Sequence, residues 1–407
     1  MLSKYFKAIG AKRLSQVEVS SIISHQHELN GIGEFKRIFG PDKATFATKF
    51  ISLVDDEDKV KSVGGQMTWY DARENHPTRS EYRLYYSEDE IFATANPGDL
   101  LVVAKIDAHK LAAIVAPQGS TSEKQLLWLF GLADLDTRLV VKDLSADKTD
   151  IGFAGRYILS TLGFELEETL PDYLELILDK FGMSFPPTKI FSEFSRSTVK
   201  DVSPIEAPDE TLMAWLEREE LLFKTLEKVI IKEHLAKGFG EDGTDVEAFI
   251  KLSLSIQNRR KSRAGFSFEN NLAVLFTSNK ISYAHGATTE RNNRPDFIFP
   301  GVQYYHNQQF DAGLLTMLGV KTTAKDRWRQ VLSEAARIPN KHLITLEPAI
   351  SRNQTEEMSA NNLQLVIPAQ IMPTYTSEQR QKVMSVKDFI GLVGKNQSGY
   401  GASSLLF

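Results

Sequence analysis

The stretch from Pro295 to Glu334 constrains this chain more than any other. Pro295-Asp296-Phe297-Ile298-Phe299 sets an acid directly ahead of an apolar, aromatic run that reads as a strand. Met317-Leu318-Gly319-Val320-Lys321-Thr322-Thr323 is a second strand-like run, and it delivers a lysine 25 residues after Asp296. Residues 324–337 then read as a helix, rich in good helix formers and free of Gly and Pro. Strand, strand and helix in that order bring Asp296, Lys321 and Glu334 to the ends of adjacent elements. Two carboxylates and a lysine suit Mg²⁺-assisted phosphodiester hydrolysis. The carboxylates are hard oxygen ligands for the cation, and the lysine supports charge building on the phosphate.

Each piece alone is common. Pro-Asp usually marks a turn, and a strand lysine is usually a solvated edge charge. The usual PD-(D/E)xK pattern also wants an acid two residues before the lysine, where this chain has Gly319. Glu334 is the candidate to fill that vacancy from the helix. It lies seven residues after Arg327, so a continuous helix would set both on one face.

Three longer runs make the pattern specific. Asn258-Arg259-Arg260-Lys261-Ser262-Arg263-Ala264-Gly265, Arg294-Pro295-Asp296-Phe297 and Val320-Lys321-Thr322-Thr323-Ala324-Lys325-Asp326-Arg327-Trp328-Arg329-Gln330 keep an order and spacing that resembles the EcoRII restriction endonuclease family. The resemblance covers the catalytic domain of that family, from about Lys237 to the C-terminus. It implies an α/β restriction-endonuclease-like (PD-(D/E)xK) domain with a mixed central sheet. It further implies Mg²⁺-dependent, type II cleavage of double-stranded DNA, a homodimer formed through the catalytic domain, and a companion DNA methyltransferase in the host. In that family the second metal-binding glutamate sits on the helix, which is where Glu334 is expected.

The same resemblance assigns Lys325, Asp326, Arg327 and Arg329 to DNA. Arginine can hydrogen-bond guanine O6 and N7, and Asp can accept from cytosine N4. With Lys325-Asp326-Arg327 intact, a CC–GG core of the CC(A/T)GG kind is the expected target. Arg259, Arg260, Lys261 and Arg263 would alone read as a solvated basic loop between a helix at 245–257 and another from Phe266. Beside the resemblance they are assigned to phosphate contacts or to dimerisation. Glu269, in the early turn of that second helix, is either an auxiliary acid near Asp296 or a plain helix-end charge.

Composition bounds the rest. At 407 residues the chain exceeds usual single-domain size, so two domains are expected. A formal net charge of −5 excludes a global electrostatic signature of nucleic-acid binding, so any affinity for DNA must come from local basic patches. There is no cysteine, which rules out disulfides and thiolate metal sites and suits a reducing compartment. Neither a signal peptide nor a membrane span is read, so a cytoplasmic location is expected.

Residues 1–187 are rich in short strand-like runs separated by turn signals, at 45–53, 66–70, 81–86, 100–106 and 111–116. With helices at 17–38 and 123–131 they predict a β-rich barrel or sandwich; the stretch loosely resembles the EcoRII effector domain, which implies a DNA-binding pseudobarrel that takes an effector copy of the site. Lys12, Arg79 and Arg83 are its candidate contacts. Residues 188–208, with Ser, Thr, Pro and mixed charge, read as a linker, and 209–407 as the catalytic domain. The tail from Gly394 reads as loose or used in assembly. The rival reading is a non-catalytic DNA-binding regulator that keeps a nuclease fold.

Overall fold

The strand-forming runs in the first part of the chain are realised as eight strands. They are β1 (Ala8–Arg13), β2 (Glu28–Leu29), β3 (Ala44–Ser52), β4 (Lys61–Asp71), β5 (Tyr82–Tyr86), β6 (Leu100–Lys105), β7 (Lys110–Ala116) and β8 (Val140–Asp143). The computed structural model describes residues 1–19, 27–29, 32–55, 60–87, 90–133, 135–164, 171–240 and 243–403. Two compact units divide the chain: Met1–Glu165 with Pro348–Asn353, and Leu166–Glu347 with Gln354–Phe407. Among the described residues no helix is long and apolar enough to cross a membrane.

In the first unit the strands form one sheet in the order β2-β5-β4-β3-β7-β6-β1-β8. All pairs are antiparallel except β3 with β7. Alternate side chains enter the core: Phe46 and Phe50 from β3, Met67 and Trp69 from β4, Leu101 and Val103 from β6. The order starts at β2 and stops at β8, and no pairing among the described residues joins those ends into a closed barrel. The helix expected at 123–131 runs Thr121–Phe130, its N-terminus capped by Ser120. The long helix expected at 17–38 does not form. Two four-residue helical turns, Gln16–Val19 and Lys36–Phe39, flank β2, which is captured by pairing with β5, while 20–26 and 30–31 lie outside the described residues.

The second unit opens with helices Leu174–Phe181, Thr188–Ser197, Pro208–Lys237 and Val246–Ser278. Ile177, Phe191, Phe194, Leu222, Phe223, Leu226 and Ile230 form their shared core. The structure therefore departs from the expected linker over 188–208. Its polar composition conceals a helix whose Phe191 and Phe194 share one buried face, and burying those rings ties the segment to the unit that follows. The two helices expected around the basic run are one helix of 33 residues, continuous through Asn258–Gly265.

Beyond these helices come β9 (Ala284–His285), β10 (Phe297–Phe299), β11 (Thr316–Lys321), β12 (Lys341–Thr345) and β13 (Leu363–Val366), in the sheet order β13-β12-β11-β10-β9. β9, β10 and β11 are antiparallel neighbours, whereas β11, β12 and β13 run parallel. The sheet is mixed, as expected, and its hinge in direction is β11, the strand that carries Lys321. The tail continues as helix Val386–Ser403, which buries Val386, Phe389 and Val393; residues 404–407 lie outside the described residues.

Candidate active site

Strand register brings the acid and the lysine together. Phe297 pairs with Leu318 across the antiparallel β10–β11 ladder, which sets Asp296 level with Gly319 and beside the end of β11. Asp296 Oδ2 accepts the Val320 backbone N–H at 2.6 Å and lies 3.3 Å from Lys321 Nζ. Burial raises the Asp296 carboxyl above the usual aspartate range, Lys321 opposes that shift, and the charge of Glu269 adds to it.

Gly319 is required by packing. A β-carbon built there would lie 2.8 Å from Val331 Cγ2. The strand position that carries an acid in the usual pattern is thus closed by an apolar side chain from the next helix.

That helix is shorter than expected. It runs Trp328–Leu332, and Glu334 lies just past its end. Residues before it are held in a turn, because Glu347 Oε2 accepts both the Ala324 and the Lys325 N–H. Residues after it turn away at Ala335, which has the left-handed φ of 47°. The single helical face shared by Arg327 and Glu334 therefore does not exist.

Glu334 still enters the charge cluster. Burial pushes its carboxyl up to about 7; Lys321 pulls it down, Asp296 pushes it up, and Lys341 pulls it down again. Its Oε2 is buried and has no hydrogen-bond partner. A buried carboxylate oxygen without a donor is costly unless a cation or a proton meets it. Among the described residues no group of three or more His, Asp or Glu makes a ready-made cation shell. Two carboxylates are nevertheless the donor set Mg²⁺ commonly takes from a protein, with water and phosphate oxygens completing its octahedron. Asp296 and Glu334 fit that group.

Glu269 comes from the C-terminal half of Val246–Ser278, not from an early helical turn, so the helix-end reading falls. Its Oε2 lies 2.8 Å from His285 Nε2. His285 pairs with Phe297 across β9–β10, which explains how a helix acid reaches the neighbourhood of Asp296. Its imidazole is raised by that hydrogen bond, with burial opposing and the charges of Glu269 and Asp296 adding.

The basic residues divide sharply. Asp326 and Arg327 are exposed at the turn before Trp328, and Arg329 is held by both oxygens of Glu357, each at 2.8 Å. Lys325 is only 5% exposed, and its backbone N–H is bound by Glu347. The run at 259–263 is divided between the interior and the surface. Arg263 is 6% exposed, pairs with Glu219 at 2.9 Å and lies over the rings of Phe191 and Phe223; burial lowers its guanidinium to about 10. Arg260 pairs with Glu227 at 2.7 Å, and Arg259 lies over Phe185. Only Lys261 of the four projects into solvent without such a contact.

In the first unit Lys12 is 4% exposed and pairs with Glu18 at 2.8 Å, so it is closed to DNA. Arg83 bridges Glu28 and Glu81, whereas Arg79 is exposed between β4 and β5.

Sequence reading missed Glu347, His285 and Lys341. A glutamate ending the apolar run Leu343-Ile344-Thr345-Leu346 was the available signal for the first. Nothing local marks His285, which gains its place only through strand pairing.

Residues 223–390, almost all of them within the second unit, match the family described as EcoRII C terminal, and the EcoRII-like resemblance holds over that stretch. The type II restriction enzyme EcoRII of Escherichia coli is 35% identical over 229 residues, or 56% of this chain and 55% of that protein. The chain thus spans about half the length of the curated relative it matches. Metal-depleted Ecl18kI in complex with uncleaved, modified DNA aligns at a TM-score of 0.46 and 20% identity, covering 57% of this chain and 86% of that one. A complex of the restriction endonuclease PspGI with substrate DNA aligns at 0.43 and 18%, covering 53% and 94%. Likenesses that remote add no weight to the family match.

Proposed function

We propose that the chain is a Mg²⁺-dependent, sequence-specific type II restriction endonuclease acting on double-stranded DNA with a CC–GG core. One observation carries this reading: Lys321 Nζ lies 3.3 Å from Asp296, in a charge cluster shared with the buried, unpartnered carboxylate oxygen of Glu334. Asp296 and Glu334 would hold the cation, which when bound lowers the pKa of water and offsets charge on the scissile phosphate. Lys321 orients the attacking water and stabilises negative charge as the phosphorus–oxygen bond breaks. Val320 N–H keeps Asp296 in place through this step. Glu269, held by His285, is the auxiliary acid. Asp326 and Arg327 are the base readers, and Arg329, tied to Glu357, borders them.

Cutting both strands of a near-symmetric site calls for two active sites, hence a homodimer through the second unit. The exposed apolar residues Val246, Phe249, Ile250 and Leu254, on one stretch of helix, support such a contact. The first unit would bind a further copy of the site through Arg79 and its neighbours and restrain cleavage until it does so. A companion methyltransferase would protect host DNA. Plasmid digestion with and without Mg²⁺, followed by sequencing of the ends, tests the proposal. Specific binding without cleavage at any Mg²⁺ concentration would leave the non-catalytic regulator as the better reading.

A further inference from the structure

Glu334 stands on a turn with no regular secondary structure, yet a metal ligand must be held to a fraction of an ångström. The surrounding hydrogen bonds explain how. Lys341, at the start of β12, is 7% exposed, and its Nζ donates to Ile338 O at 2.8 Å and to Ala335 O at 3.3 Å. Asn293 Nδ2 donates to Ser333 O at 2.8 Å, and the Glu290 carboxylate accepts the Ala336 N–H. Arg337 donates to the carbonyls of Asn307 and Phe310, both at 2.9 Å. Every residue from Ser333 to Ile338 except Glu334 is therefore tied by its own main chain or side chain to one of these groups.

Lys341 differs from the other ties in two ways. It is a buried cation that spans the turn from Ala335 to Ile338, and its charge attracts the Glu334 carboxylate itself. A buried ammonium is retained only where such acceptors and counter-charges meet it.

We infer that Lys341 is a positioning residue for Glu334: it fixes the turn that presents this carboxylate, so that a divalent cation finds its second protein ligand already ordered. The inference rests on the metal-nuclease reading above. Metal ligands supported in this manner typically lose about 10- to 100-fold in metal affinity when the support is removed.

The test uses the full chain in a Lys321→Ala background, which keeps the duplex uncut, and titrates Mn²⁺ calorimetrically into the protein–duplex complex. Adding Lys341→Met is expected to weaken Mn²⁺ binding by about tenfold or more, with metal-free duplex affinity unchanged. In the Lys321 parent, Lys341→Met should raise the Mg²⁺ needed for half-maximal cleavage by a similar factor, while saturating Mg²⁺ restores the rate. Lys341→Arg, which keeps the charge and the donors, should recover much of the loss. Unaltered Mn²⁺ affinity in a folded Lys341→Met protein overturns the inference. If that variant does not fold, Asn293→Ala loosens the same turn from its exposed side and must weaken Mn²⁺ binding in the same direction. Unchanged binding there counts equally against the idea. A parent chain that neither binds Mn²⁺ nor cuts DNA would instead reject the nuclease reading, and the inference with it.

Discussion

A side chain on Gly319 would collide with Val331, whose Cγ2 lies 2.8 Å from the position of a β-carbon there. This contact decides which residue is the second acid. An aspartate or glutamate on the strand would need Val331 removed, and Val331 is fully buried against the sheet. Gly319→Ala should therefore destabilise the fold by roughly 1–3 kcal/mol through overpacking. Pairing it with Val331→Ala should recover part of that loss in denaturant unfolding. Additive losses in the double variant would show that the two residues do not share this space.

Removal of the chemical groups should separate binding from cleavage. Asp296→Ala, Lys321→Ala and Glu334→Ala are each expected to slow cleavage by about 10²-fold or more while the chain stays folded. Lys321→Ala should retain specific duplex binding, since the lysine acts mainly on the transition state. A Glu334→Ala protein that cuts at the parental rate would transfer the second ligand to another acid, with Glu269 the first to examine.

The Glu334 carboxyl also predicts a pH dependence of stability. Its proton is held up to about pH 7 in the folded chain, against an ordinary value of 4.5. Between those values the unfolded chain has released a proton that the folded chain retains. Stability of the metal-free protein must then fall as pH rises through this window and level off above it. Glu334→Gln should be the more stable protein above the window, with the gap closing below it, at about 2–4 °C in Tm for each kcal/mol relieved. Thermal unfolding in chelator across the window checks this. Parallel curves for the two proteins would contradict it.

The basic run gives a prediction opposite in kind to its appearance. Arg263→Leu leaves Glu219 buried without its ion pair and should cost roughly 3–5 kcal/mol of stability. Lys261→Ala, on the exposed side, should stay within about 0.5 kcal/mol. Arg327→Ala should instead weaken cognate binding by roughly 1–3 kcal/mol and relax one base pair. Equal losses on cognate and random duplexes would remove Arg327 from the base readers.

Truncation tests the division of the chain. A fragment starting at Pro171 keeps helix Thr188–Ser197 and should cut single-site DNA faster than the full chain. One starting at Asp209 exposes the partners of Phe191 and Phe194 and should unfold at lower denaturant concentration. If the longer fragment is slower than the full chain and added cognate duplex speeds neither, the first unit only contributes affinity.

The strand-borne part of the site was legible in the sequence because β10 and β11 are short apolar runs, one opening just after Asp296 and the other closing on Lys321. Asp296 and Lys321 meet as expected. Glu334 was legible as a residue but not as a position, since the helix former count around 324–337 does not reveal that Glu347 and Lys341, both outside that stretch, hold the two flanks of a five-residue helix. The arginines misled for a similar reason. A charge run has the same composition in solvent as when some of its cations, here Arg260 and Arg263, have buried acids waiting on another helix. The same blindness hid Thr188–Ser197, where two phenylalanines outweigh a polar background.

One consequence follows from the brevity of that helix. Arg327 and Glu334 are seven residues apart, with the rigid plug of Trp328 and Val331 between them. Under the proposed function, a sensor of sequence and a part of the cutting apparatus then ride on the same small lever. Because Lys341 and Asn293 pin the Glu334 end, DNA that fails to engage Arg327 would present its scissile phosphate out of register with a carboxylate already in place, so errors in recognition would be rejected at the bond-breaking step as well as on the way in.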